Sequence, residues 1–295
     1  MSKVYEYVTQ KIVAELEKGE IPWRKPWVGG PAINWKSKKK YRGVNVFLLP
    51  PGEYVTYKQA TEAGGFVKKG ERGHMVVFYT TLEYDKKGGE AQGTGEDGKT
   101  RIPYLRYYTV FELSQCEGLE RRRRVDGVDH NPIERCEEIV AGYENGPAIE
   151  HGAEGASYSV KKDRVAMPCR ERFFCMEEYY STLFHELGHS TGHQTRLNRE
   201  SLTSATAGFG TSPYAEDELI AEMTAAMLCG EAGIDNVTLE NSAGYIDGWR
   251  KRLSSDPKLV VRMASKAQKA ADLILGVGKE EVLYTDARRM EDEWE

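Results

Sequence analysis

The chain has 295 residues, of which 40 % are hydrophobic and 29 % are charged, a composition typical of an ordinary globular protein. No apolar run approaches the roughly 18 residues that a membrane-spanning helix requires. The N-terminal segment is charged throughout and lacks the apolar core of a signal peptide, so the sequence predicts a cytoplasmic protein with no membrane partner.

The net charge of −5 conceals two halves of opposite sign. Residues 1–125 hold 23 Lys and Arg against 15 Asp and Glu, a net charge of +8, together with 17 of the 30 aromatic residues. Residues 126–295 hold 18 basic and 31 acidic residues, a net charge of −13. A basic, aromatic-rich half joined to an acidic half predicts two domains, 1–125 and 126–295, with different partners.

The basic half is predicted to begin with a helix and to continue in short strands. Apolar residues recur at helical spacing over residues 2–19, and Gly19 is a good helix stop. Residues 54–62 predict a strand that runs into a short helix. The β-branched and aromatic segments 73–84 and 102–113 predict a hairpin with a long, polar, glycine-rich loop.

The acidic half is predicted to be mostly helical. Residues 157–168, SYSVKKDRVAMP, alternate in polarity and end near a proline, which is typical of an edge strand, and such an edge can pair with an extended peptide. The predicted fold class is therefore α+β, with a small sheet in the basic domain and an edge strand in the helical one. The predicted helices of the acidic half are 132–144, 176–191, 214–232, 237–253 and 257–276.

Residues 183–193 read LFHELGHSTGH and predict a metal site. His185 and His189 lie about one helical turn apart, on one side of the helix, where both imidazoles can reach the same ion. Glu186 is placed to act as a general base and to pass the proton to a leaving amine. This H-E-x-x-H arrangement of zinc peptidases predicts one divalent metal ion, with zinc favoured, and Glu186 as the catalytic residue.

A catalytic zinc usually takes a third protein ligand, for which the sequence offers three candidates. Glu218 and Glu222 lie one turn apart in EDELIAE, on a predicted core helix where a buried carboxylate needs a partner. The favoured assignment makes Glu218 the ligand and Glu222 the residue that orients a ligand histidine; the reverse stays open. His193 is the third candidate, but helix geometry places it too far along the axis, and we otherwise expect it to cap the helix or to support the ligands.

The basic half interleaves aromatic rings with cations in IPWRKPW and NWKSKKKYRGVN. Rings on which bases stack, combined with cations that neutralise phosphates, are what sequence-tolerant binding of single-stranded DNA requires. The alternative is a structural tryptophan cluster beside a solvated run of charge. The predicted DNA-binding residues are Trp23, Arg24, Lys25, Trp27, Trp35, Lys38, Lys39, Lys40, Tyr41, Arg42 and Asn45.

Two sets of motifs resemble one known family. IPWRKPW, Asn34, YRGVN and GGFVKKGERG resemble the N-terminal single-stranded-DNA-binding domain of ArdC-type antirestriction proteins. STLFHELGHSTGHQTRLNR and AEDELIAEMTAAML resemble the zincin-like metallopeptidase domain that follows it in that family. The resemblance extends over about residues 3–275 with the blocks in the same order. The glycine-rich insert at 85–100 and the four-arginine block depart from the family pattern and put the loop contacts in question.

The resemblance implies a protein of a mobile element that binds single-stranded DNA and protects incoming DNA from the recipient's restriction enzymes. It also implies that His185, His189 and a glutamate of EDELIAE bind the metal and that Glu186 is catalytic, without naming a peptidase substrate. Two other hypotheses stay open. One is a peptidase whose basic domain recruits an acidic protein substrate, and the other is a DNA-binding shield with a non-catalytic metal domain.

Overall fold

A computed structural model describes residues 3–24, 30–85, 99–121, 131–203, 212–235 and 243–277 of the chain. The predicted hairpin loop, the predicted domain boundary between residues 125 and 126, and the C-terminal tail lie outside these ranges, as do Lys25 and Trp27. In the described residues, no helix has an apolar stretch long enough to cross a membrane.

The described residues combine helices with small sheets, which confirms the predicted α+β class. Helices α1 to α9 are Lys3–Glu17, Asn45–Leu48, Tyr57–Glu62, Pro132–Ala141, Met176–Ser190, Glu200–Thr203, Ser212–Ala232, Ala243–Ser255 and Leu259–Ile274. Strands β1 to β9 are Ile33–Asn34, Glu53–Thr56, Phe66–Val67, His74–Asp85, Lys99–Glu112, Cys116–Glu117, Ala148–His151, Ser157–Ser159 and Arg164–Met167.

The basic half is organised around a four-stranded sheet in the order β1-β2-β5-β4. The predicted hairpin is confirmed as the antiparallel pair β4 and β5, in a register that sets Val76 opposite Tyr108. The predicted strand-to-helix segment is confirmed as β2 and α3, because Thr56 and Gln59 form a reciprocal capping box where the helix begins. The first helix ends as predicted near Gly19, whose φ of 82° is costly for other residues.

The five helices predicted for the acidic half are present as α4, α5, α7, α8 and α9. The predicted edge strand 157–168 requires a correction, because this segment forms two strands of a three-stranded sheet with the order β7-β9-β8. Of the two strands that this segment forms, β8 lies at an edge of the sheet, whereas β9 is central and is hydrogen-bonded to β7 and to β8. Strand β7 was not predicted, since its residues Ala148–His151 are mostly exposed and show no regular alternation.

The two halves share a hydrophobic core. Helix α1 of the basic half packs against α8 and α9 of the acidic half, and its Val8 and Ile12 belong to the same buried cluster as Leu253 and Val260. Trp23 meets Trp249 edge-to-face in this cluster, with ring centroids 6.3 Å apart. The predicted halves are therefore joined by extensive apolar contact.

Candidate metal centre

Helices α5 and α7 pack closely at the centre of the acidic half, and a glycine permits the approach. A β-carbon placed on Gly188 would lie 3.0 Å from the Cα of Ala221 and 3.2 Å from its carbonyl oxygen, tighter than side chains normally tolerate. The H-E-x-x-H helix can therefore lie directly against the helix that carries EDELIAE.

Three side chains from these two helices converge. The Nε2 atoms of His185 and His189 are 3.1 Å apart, and Glu218 places one carboxylate oxygen 3.4 Å from the first and the other 3.6 Å from the second. A tetrahedral zinc with ligand distances of about 2.0–2.2 Å separates its donor atoms by about 3.3–3.5 Å. The donor spacing therefore fits one ion, and within the described ranges this is the cluster with metal-ligand spacing.

The carboxylate that orients a ligand histidine is Asp217, not Glu222. An oxygen of Asp217 lies 2.7 Å from Nδ1 of His189, so this ring directs its other nitrogen toward the metal site. Burial lowers the pKa of His189, but hydrogen bonds to Asp217 and Glu218 outweigh it and raise the pKa to about 10. Without a metal, His189 is therefore protonated at neutral pH, and an ion that binds to its ring must displace a proton.

Asp217 is itself held by Arg199, a buried residue that the sequence analysis missed. The Arg199 guanidinium donates to Asp217 at 2.8 Å and to the carbonyl oxygens of Gly188 and His189 near the end of α5. Burial opposes ionisation of Asp217, but hydrogen bonding to His189 and the charge of Arg199 lower its pKa to about 2. The sequence signal for Asp217 was its place beside Glu218 in EDELIAE.

Glu222 has a different role from the predicted one. It lies one turn from Glu218, accepts a hydrogen bond from the indole of Trp23 at 2.8 Å and from the hydroxyl of Tyr245, and lies 3.6 Å from Arg24. Glu222 therefore binds the N-terminal segment to α7 instead of supporting a histidine.

His193 takes no part in the cluster of donor atoms. The chain leaves α5 at Ser190, and Nδ1 of His193 lies 2.8 Å from the hydroxyl of Thr195 and 4.0 Å from Asp163. Its side chain thus contacts the turn that follows α5, and these contacts do not fit its candidacy as a ligand.

Glu186 and Tyr214 border the metal cluster. The Glu186 side chain is buried within α5 and follows His185 directly. Tyr214 hydrogen-bonds to Glu218, and burial together with this contact raises the pKa of its hydroxyl. Burial also opposes ionisation of Glu218, yet hydrogen bonds from His185 and His189 lower its pKa below the ordinary value. The cluster thus presents an anionic ligand beside a protonated phenol.

Several predicted DNA-binding side chains are buried. Trp23 is inaccessible to solvent, and Trp35 and Tyr41 are only 5 % and 6 % exposed, so the prediction that these rings offer stacking faces is wrong. Trp35 donates its indole N–H to the carbonyl oxygen of Glu120. These rings therefore fit the alternative given above, in which the aromatic residues are structural.

Two predicted polar contacts are also structural. The buried Asn45 side chain exchanges two hydrogen bonds of 2.8 Å with the backbone of Val77. The guanidinium of Arg24 lies 4.7 Å from the ring centre of Tyr245 and beside Glu222, with only 8 % of its side chain exposed. Neither group is presented to a nucleic acid.

The remaining predicted cations lie along a cleft of about 470 Å³ between the two halves. Lys40 forms an ion pair of 2.6 Å with Glu231, and Arg42 pairs with Asp272, both on the acidic half. Five cations and two acids line the cleft, a net charge of +3 in a chain of −5. The cations are Lys38, Lys39, Lys40, Arg42 and Arg135.

Two known families match the chain, each over one of its halves. Residues 2–111 match the N-terminal domain of anti-restriction factor ArdC, and residues 134–266 match a zincin-like metallopeptidase domain. Together the matches follow the order inferred from the motifs.

Similar proteins extend over nearly the whole chain. The uncharacterised protein y4eC of Sinorhizobium fredii (strain NBRC 101917 / NGR234) is 35 % identical over 288 residues, which cover 91 % of this chain and 90 % of that protein. The DNA primase TraC of Escherichia coli is 32 % identical over 299 residues, which are 94 % of this chain but 27 % of TraC. The chain thus spans about a quarter of that relative.

Solved structures of a similar protein also match nearly the whole chain. The metal-free crystal structure of the antirestriction ArdC protein from the R388 plasmid has a TM-score of 0.72 and 33 % identity, and the match covers 96 % of this chain and 99 % of that one. The Mn(II)-bound structure of the same protein has a TM-score of 0.71 and 34 % identity, with coverages of 92 % and 97 %.

Proposed function

This chain belongs to the ArdC family of antirestriction proteins, and on that premise we propose that it binds single-stranded DNA, carries a divalent-metal site of the metallopeptidase type, and protects incoming DNA from host restriction. The observation that carries the proposal is the convergence of His185, His189 and Glu218 from two helices on a space that fits one ion. The similarity to a protein of the R388 plasmid supports a mobile-element origin.

Zinc is the ion we propose for the cluster. Two imidazole nitrogens and one carboxylate oxygen are the donor set of catalytic zinc sites that leave one position for water or substrate. The Mn(II)-bound structure of the R388 protein shows that this relative binds a divalent ion, which supports a divalent-metal site in this chain. When bound, such an ion acts as a Lewis acid and lowers the pKa of water.

We assign the proton transfers to Glu186. Its buried carboxylate, next to His185, accepts the proton of the attacking water and returns it to the nitrogen of the leaving amine. Tyr214 is assigned to stabilise negative charge on the peptide oxygen, and its raised pKa keeps the hydroxyl protonated, as a donor must be. Asp217 and Arg199 hold His189 in the required orientation throughout.

Replacing Glu186 separates metal binding from catalysis. We expect Glu186→Gln to retain about one metal ion per chain by elemental analysis, since it removes none of the three ligands, and to slow cleavage of an unfolded protein such as casein by about 10²–10⁴-fold. His185→Ala should lose the ion. Glu177→Gln, in the first turn of the same helix, is the matched control and should keep both properties.

Cleavage that survives Glu186→Gln undiminished would remove the general-base assignment. If wild type cleaves but Glu186→Gln still protects DNA in a conjugation assay, protection does not depend on the peptidase chemistry, and the DNA-binding shield is the better account of the family's function.

The cleft cations support the DNA-binding part of the proposal. The Lys38 and Lys39 side chains are exposed at its rim, whereas Lys40 and Arg42 are partly neutralised by Glu231 and Asp272. Cations in a groove attract the phosphates of a single strand independently of its sequence. We therefore assign the electrostatic contacts to Lys38, Lys39 and the cleft, in place of the buried tryptophans.

A salt titration tests these contacts. We expect the chain to bind a fluorescent oligo-dT, with log K falling linearly with log salt, and each of Lys38→Gln and Lys39→Gln to reduce the slope by about 0.7 because one phosphate contact is lost. Lys36→Gln is the matched control, because Lys36 pairs with Glu62 and does not line the cleft. Absence of binding at low salt would refute single-strand binding.

A further inference from the structure

The hairpin of β4 and β5 extends beyond the rest of its sheet. Strand β2 pairs with β5 at residues 110–112. Among the strands that the structure describes, β4 alone pairs with the part of β5 that precedes residue 110. Side chains alternate between the two faces of a strand. Tyr104, Arg106 and Tyr108 therefore share one face of β5, and the register adds Phe78 of β4, which lies opposite Arg106. We call these four residues the aromatic face.

The aromatic face continues outward from a buried cluster. Its inner neighbours Val76 and Val110 are buried, and Tyr41 packs against Phe78 with ring centroids 6.3 Å apart. The rings of Phe78 and Tyr108 are 5.9 Å apart and partly exposed. Farther out, Tyr104 is 40 % exposed. Ring surface therefore becomes progressively accessible toward the hairpin tip, although a solvent-facing side of an antiparallel sheet is normally polar.

Part of the opposite face of the hairpin packs against the main core. Met75, Val77 and Leu105 are buried there, and Tyr79 at its edge contacts Tyr5 of α1 through their hydroxyls. Two tyrosines of this opposite face, Tyr79 and Tyr107, are nevertheless 42 % and 60 % exposed. The aromatic face presents Phe78 of β4 and Tyr108 of β5 as neighbouring rings beside Arg106. Its chemistry combines flat rings with one guanidinium.

We propose that single-stranded DNA stacks its bases on the aromatic face, an inference that rests on the DNA binding proposed above. Every base has a π-face, so stacking on Phe78, Tyr104 and Tyr108 is sequence-tolerant, and the planar Arg106 adds charge as well as a stacking surface. Tyr41 connects this surface to the cleft, because its ring packs on Phe78 while the residue also lines the cleft with Lys38 and Lys39. One strand of DNA can therefore contact the aromatic face and the cleft at the same time.

Oligo-dT binding to substituted proteins tests the proposal. We expect Tyr104→Ala and Tyr108→Leu each to weaken binding by about five- to 150-fold, the range for loss of one stacked base, while the dependence of log K on log salt keeps its slope. Tyr108→Leu preserves apolar volume, and Tyr108→Phe should bind like wild type. The matched control is Tyr107→Ala, which removes a tyrosine of the same strand, 60 % exposed, from the opposite face.

Photochemical crosslinking of bromouracil-substituted oligonucleotide to the wild-type chain gives a second readout, and we expect adducts on Phe78, Tyr104 or Tyr108. Wild-type binding that is unchanged in Tyr104→Ala and Tyr108→Leu would overturn the aromatic face while leaving single-strand binding intact. An equal loss of oligonucleotide affinity in Tyr107→Ala would also overturn the proposal. So would a change in the oligomeric state of Tyr104→Ala or Tyr108→Leu without a change in affinity, because that result would indicate a protein interface. If wild type binds no oligonucleotide, both proposals fail.

Discussion

At the scale of single residues, the metal cluster depends on a chain of buried contacts behind it. Arg199 fixes Asp217, Asp217 fixes one nitrogen of His189, and the other nitrogen is thereby directed toward His185 and Glu218. Each member has a charged partner, which offsets the cost of burying it. The orientation of His189 is thus determined by residues that lie outside the candidate metal cluster.

Replacing the middle member should weaken metal binding without removing a ligand. We expect Asp217→Asn to lower zinc affinity about 10- to 100-fold, measured by competition with a chelator, because an amide cannot supply the negative charge that holds the imidazole. Glu216→Gln is the matched control, since the neighbouring Glu216 points to Arg262 on α9. A wild-type affinity in a folded Asp217→Asn protein would show that this contact does not orient His189.

At the scale of elements, the periodicity of apolar residues identified the helices that build the site, but not which faces of those helices contact each other. Helical spacing places His185 and His189 together on α5, and an apolar helix carries Glu218, so all three members of the candidate cluster could be predicted. It does not reveal which face of α7 meets α5, and for that reason Asp217 was overlooked and Glu222 was misassigned.

The same limit explains the errors in the basic half. Cations beside tryptophans suggested exposed stacking rings, yet Trp23 is buried by Trp249 and Glu222, which are distant in the sequence. The hairpin itself was predicted from its β-branched and aromatic residues. Its alternating Tyr104, Arg106 and Tyr108 gave the sequence signal for an aromatic face, but the register with β4 was needed to show which rings lie together.

At the scale of the whole molecule, the two halves are linked by three kinds of contact. A common apolar core contains Trp23 and Trp249, the ion pair of Lys40 with Glu231 crosses the cleft, and Glu222 holds the N-terminal segment from within α7. Because α7 also carries Glu218, the helix that supplies a proposed metal ligand is the helix to which the basic half is attached. The predicted division at residue 125 therefore separates a basic half from an acidic half, but it does not separate two hydrophobic cores.

A shared core predicts that both halves unfold together. We expect one cooperative thermal transition, coincident by circular dichroism and by tryptophan fluorescence, and a shift of the whole transition to lower temperature when EDTA removes the metal. A hundredfold excess of zinc over its Kd contributes about 2.7 kcal/mol, which is several degrees in Tm for a chain of this size. His185→Ala, which lacks a ligand, should melt at the same temperature with or without EDTA. Two separate transitions, of which EDTA moves only one, would instead show that the basic half folds independently of the metal-bearing half.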